Sequence, residues 1–125
     1  MGAAEMPVAR FKIEHTGVVL WMRSSKRLET YLDSKGVGYR RERRDLRIFA
    51  REEGEEQMST VVRALAGLVA GIREATGATA TATASLGILF RVDRLSLSFV
   101  LPARQSRRLA EAGIDLAISI YSTSD

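Results

Sequence analysis

From Val8 to Glu14 the chain alternates Val8, Arg10, Lys12 and Glu14 with Ala9, Phe11 and Ile13. A period of two predicts a strand with one buried face. His15-Thr16-Gly17 then carries turn residues. The unbroken apolar run Val18 to Met22 has strand length and suits burial on both faces, so Trp21 and Met22 read as core. Ser24-Ser25 offers a helix cap, and Leu28, Tyr31 and Leu32 follow at helical spacing up to a glycine stop at Gly36. Val37 to Arg43 and Leu46 to Arg51 predict two strands around a turn near Arg44-Asp45. In the second strand Leu46, Ile48 and Ala50 alternate with Arg47, Phe49 and Arg51.

The acidic stretch Glu52-Glu53-Gly54-Glu55-Glu56 precedes a long apolar stripe of Met58, Val61, Val62, Leu65, Leu68, Val69 and Ile72. This predicts a helix from about Glu55 to Ala75, with carboxylates at its positive end. Thr79 to Ala84 alternates strictly and opens a strand that continues through Leu86 to Val92. Asp93-Arg94 then turns into a further strand, Leu95 to Leu101. Pro102 opens a short helix to Ala112, Gly113 ends it, and Ile114 to Tyr121 is the last strand.

KRLETYLDSKGVGYR and RRLAEAGIDLAISIY share one plan of short helix, glycine stop and strand. The fold expected is α+β: a mainly antiparallel sheet with one long and two short helices on one face, in a ferredoxin-like pseudo-duplicated arrangement. Residues 8–121 form one domain, between tails at 1–7 and 122–125.

Composition changes this picture little. A chain of 125 residues, 46% hydrophobic and 27% charged, can bury a core of its own. With no cysteine there is no disulfide framework, thiolate metal site or cysteine nucleophile. The opening MGAAEMPVAR lacks the charged start and apolar core of a signal peptide. The longest apolar run, Ala64 to Ile72, falls well short of the roughly 20 residues that span a bilayer. A cytoplasmic protein without a membrane partner is expected. The net charge of +4 rests almost wholly on arginine and turns attention to anionic partners.

Candidate chemistry is sparse. His15, the only histidine, reads as a solvated turn residue, because a histidine base needs a nucleophile and an orienting group that the sequence does not identify. Glu52, Glu53, Glu55 and Glu56 read as a solvated helix cap. No calcium-loop or HExxH spacing occurs, and Gly36-Val37-Gly38 is no dinucleotide loop. Gly67 and Gly71 read as a close approach of the long helix to the sheet, with a homodimer contact as the alternative. Tyr31, Tyr39 and Tyr121 read as polar handles at the rim of the core.

Arginine is the remaining signal. YRRERRDLR holds five arginines in nine residues, Arg40, Arg41, Arg43, Arg44 and Arg47. A second cluster, Arg104, Arg107 and Arg108, falls on the last helix. Convergence of the two clusters would suit phosphates. Interleaved acids such as Glu42 and Asp45 point instead to a solvated or protein-contacting surface.

The C-terminal third, LSLSFVLPARQSRRLAEAGIDLAISIY, resembles the bacterial domain of unknown function 4279 family. The likeness rests on Leu109, Ala110, Gly113, Ile114, Leu116, Ile118, Ile120 and Tyr121. It implies a small bacterial α+β domain and carries no catalytic residue across.

These readings together predict a non-enzymatic bacterial protein of immunity, inhibitor or adaptor type, acting on a protein partner without metal or cofactor. The partner surface expected is Arg40, Arg41, Arg43, Arg44 and Arg47 with Arg104, Arg107 and Arg108. A nucleic-acid-binding protein is the alternative, and an enzyme or binder for a small anionic ligand the third reading.

Overall fold

A computed structural model of the chain describes residues 12–78, 81–91 and 100–123. The expected tail at 1–7, the start of the first strand at 8–11 and the turn at Asp93-Arg94 lie outside the described residues. So does most of the expected strand Leu95 to Leu101; its last residues, Val100 and Leu101, are described and are not in a strand.

The elements run β1 (Lys12–Arg23), α1 (Lys26–Lys35), β2 (Tyr39–Glu42), β3 (Asp45–Arg51), β4 (Gly54–Gln57), α2 (Met58–Thr76), β5 (Ala82–Arg91), α3 (Ala103–Glu111) and β6 (Ile114–Thr123). The sheet order is β2-β3-β1-β5-β6, with β4 also paired to β1. Among the described residues all pairings are antiparallel except β5 with β6.

The fold is therefore α+β on a mostly antiparallel sheet. The ferredoxin-like duplication is not confirmed. β1 and β2 flank β3 and run parallel to each other with α1 between them in sequence, whereas β5 and β6, with α3 between them, are direct neighbours. β6 also extends to Thr123, two residues into the expected tail.

One face of the sheet makes the core. Leu20 stands opposite Ile48 on one side and Ala84 on the other, Met22 opposite Leu46, and Val18 opposite Leu86. All of these are buried, together with Leu28 and Leu32 of α1, Leu109 of α3 and the stripe Met58, Val61, Val62, Leu65, Val69 and Ile72 of α2. The helices cover this face because only their apolar stripes match it. Trp21, expected in the core, has the opposite parity and lies half-buried on the other face with Val19, Arg47 and Phe49. A run that reads as apolar throughout still alternates when, among the described residues, helices cover only one face of the sheet.

The caps of α1 follow the sequence. Ser25 Oγ accepts from the Leu28 amide, and Gly36 closes the helix at φ 67°. The start of α2 differs from expectation. Gly54–Gln57 is a strand paired with Lys12–His15, so the helix begins at Met58 without an acidic first turn. Gln57 at its N-cap makes no side-chain capping hydrogen bond.

β1 is likewise one continuous strand through His15-Thr16-Gly17. The turn residues there produce an irregular register against β5 between His15 and Val18, with Gly17 at φ 112°. The one extra residue on β1 and the positive φ mark a bulge that bends the strand without ending it.

Candidate functional site

Strand alternation decides where each hairpin arginine goes. Arg40 faces Arg47 across β2–β3, and Arg47 faces Trp21 across β3–β1, so Arg40 and Arg47 share the open face. Arg41 has the other parity and pairs with Glu29 of α1 on the helix side. Arg43 and Arg44 form the turn. Arg104, Arg107 and Arg108 lie on α3, which packs at β6, the opposite edge of the sheet. Four strand spacings of about 4.8 Å separate β2 from β6, roughly 19 Å in all. The structure thus does not bring the two clusters together, and the convergence a phosphate grip needs is not met.

The open face holds a feature that the sequence reading missed. The Arg47 guanidinium lies 5.9 Å from the Trp21 ring centroid and 5.5 Å from that of Phe49. Glu42 approaches the same guanidinium at 3.8 Å. Trp21 is fixed from the far side, its Nε1–H donating to Ser85 Oγ at 3.2 Å. Phe49 is 47% exposed, so one of the two rings that hold the cation is offered to solvent. The signal was present in the alternation, because Phe49 shares parity with Arg47 while Leu46 and Ile48 take the core. An open cleft runs from Phe49 past Gly38 and Val37 towards Gly17 and Arg51. It forms because β2 begins only at Tyr39, leaving β3 beyond Phe49 without a strand on that edge among the described residues.

His15 is not a solvated turn residue. It is 1% exposed and faces the helix side of the sheet. Its Nδ1 accepts from the Gly17 amide at 3.0 Å, which leaves the proton on Nε2 to be donated to Glu56 Oε2 at 2.7 Å. Arg51 closes the group by donating to the Glu56 carboxylate through its Nε and one terminal nitrogen. That hydrogen bond is the main cause holding the Glu56 carboxyl below its ordinary value. Burial opposes it, and His15 adds to it. The same bond raises the Arg51 guanidinium.

Glu56 is therefore no solvated cap, and the three side chains fasten β1, β3 and β4 together at the bulge. Both ring nitrogens of His15 are engaged and its side chain is fully covered. A general base must aim a free nitrogen at a reacting proton, and this imidazole aims none.

Tyr39 donates to Asp33 Oδ1 at 2.9 Å, and that bond is the first cause of its raised pKa. Tyr31 packs at the rim of the core. Tyr121, 52% exposed, stands outside it and lies over Gly87. Gly71 approaches α1 rather than the sheet, since a side chain there would run into Tyr31, while Gly67 faces open space. Gln105 of α3 is buried at 7% exposure with no partner for its Oε1. Among the described residues no three His, Asp or Glu side chains converge in a metal-binding group, and no helix is long and apolar enough to cross a membrane.

No protein-family model matches the chain, and neither a curated protein nor a solved structure matches it.

Proposed function

We propose that the protein is a non-enzymatic binding protein that acts through a protein partner, docked on the β2–β3 side of the sheet. The observation that carries this reading is Arg47 lodged between Trp21 and Phe49 beside the arginine-rich β2. Arginine and aromatic side chains in contact, partly covered and rigidly held, are the residue types that dominate interface energetics. Desolvation by a partner strengthens the attraction between guanidinium and ring.

A role as an immunity, inhibitor or adaptor protein belongs to the same proposal. The likeness of the last third to the domain of unknown function 4279 family supports a small bacterial domain of that kind by analogy of fold only. The clusters on α3 and on the hairpin would serve different contacts, which weighs against nucleic acid as the main partner.

The test is affinity capture from bacterial lysate, with and without nuclease, using the wild-type chain and an Arg47→Ala, Phe49→Ala double variant as bait. One protein retained in both nuclease arms and lost with the variant is the expected result. Loss of all bound material after nuclease would transfer the patch to nucleic acid. Retention by the variant would remove the patch from the interface.

A further inference from the structure

The β2 edge has a backbone pattern as well as a charge. A two-residue turn, Arg43–Arg44, joins β2 to β3, so Glu42–Asp45 and Arg40–Arg47 are the hydrogen-bonded pairs of the ladder. The Phe49 amide donates to Gly38 O at 2.9 Å, which continues the same alternation. Tyr39 and Arg41 are therefore the non-hydrogen-bonded positions, and their N–H and C=O groups point away from β3. β2 ends the sheet order, and among the described residues no strand lies beyond it.

Such an edge is a template for another strand unless something repels it. Here the repelling charge is of one sign. Arg40, Arg41, Arg43 and Arg44 are all exposed, against Glu42 alone within β2. They project in different directions: Arg40 to the open face, Arg41 to the helix face, and Arg43 and Arg44 off the end. Arg41 remains 63% exposed even while paired with Glu29. A neutral or basic strand meets four guanidinium groups here. A strand with carboxylates on both of its faces finds a partner for each.

We propose that β2 receives an extended segment of the partner, rich in glutamate or aspartate, as an additional strand of the sheet. This rests on the partner-binding reading above and adds the mode of docking. Main-chain hydrogen bonds to Tyr39 and Arg41 would supply affinity, and the arginines would select for acid side chains.

The probe is a blocked eight-residue peptide, Glu-Glu-Val-Val repeated twice, which as a strand carries carboxylates on both faces. Its controls are a twin methylated at the four central backbone nitrogens and a peptide with lysine for glutamate. Titration is followed by amide exchange and by fluorescence anisotropy. The expected result is slowed exchange at the Tyr39 and Arg41 amides, with at least tenfold weaker binding of the methylated twin. Arg40→Glu with Arg44→Glu should also bind at least tenfold more weakly, its fold checked by circular dichroism. Lack of binding by the acidic peptide overturns the proposal, as does equal binding of the lysine peptide. Equal affinity for parent and methylated twin, abolished by Arg47→Ala, overturns strand addition while leaving the partner-binding reading standing.

Discussion

His15 Nε2 lies 2.7 Å from Glu56 Oε2 on the core side of the sheet, although 41 positions separate the two residues in the chain. The contact is diagonal: β1 and β4 pair Ile13 with Glu56 and His15 with Gly54. Removing the carboxylate would leave a buried N–H donor without an acceptor and release Arg51. Glu56→Ala should therefore lower stability by about 1–3 kcal/mol, the usual cost of orphaning a buried polar group. Glu56→Gln, which can still accept from His15, should lose less. Urea denaturation of both variants checks the order.

The same carboxyl sets an acid dependence. Its folded value is lowered from the ordinary 4.5, first by the hydrogen bond from Arg51. As pH falls, the unfolded chain takes up this proton before the folded chain does. The contribution of ionised Glu56 is thus complete above about pH 4.5 and is lost as pH drops through the lowered folded value. The stability advantage of the wild type over Glu56→Gln should be constant at pH 6–7 and shrink below pH 4.5. Denaturation midpoints measured from pH 7 to pH 2 give the comparison, and an advantage that widened with acid would contradict it.

What the sequence made legible follows from where the governing interactions are local. Period two in Leu46 to Arg51 and the stripe of α2 found the core, and Ser25 and Gly36 found the ends of α1, because each depends on neighbours within a turn or a strand. The group at His15 was illegible for the opposite reason. Thr16 and Gly17 read as a turn, yet pairing on both edges of β1 carries the chain through them as a bulge. Glu56 looked like part of a helix cap because its true partners sit on β1 and β3. The position of Trp21 depended on which sheet face the helices cover, which no local window contains.

Gly67 and Gly71 provide a matched pair on α2. A methyl group at Gly67 meets nothing within 4 Å, while one at Gly71 meets the Tyr31 hydroxyl and, at 3.3 Å, its ring. Gly67→Ala should stabilise by about 0.5–1 kcal/mol through helix propensity and a less flexible unfolded chain. Gly71→Ala should forfeit that gain or reverse it. Adding Tyr31→Phe removes the hydroxyl, so the double variant should recover part of the loss. Thermal unfolding of the wild type, the three single variants Gly67→Ala, Gly71→Ala and Tyr31→Phe, and the double variant tests the coupling. Equal gains at both glycines would mean that Tyr31 does not press on α2.

Arg43, at φ 58°, is the only non-glycine among the described residues in the left-handed region. That conformation crowds an L-residue Cβ against the backbone, and hairpin turns of two residues favour glycine at such positions. In the proposed interface this guanidinium would stand at the end of the β2 edge. Arg43→Gly should therefore raise stability by about 0.5–1 kcal/mol, or about 2–4 °C in Tm. The same change should weaken binding of an acidic partner. Arg44→Gly removes an equal charge from a residue without positive φ, so it should weaken binding without the gain in Tm. Calorimetry and a binding titration on the two variants separate backbone strain from charge. A stabilisation shared by both would trace it to relief of arginine repulsion rather than to the turn.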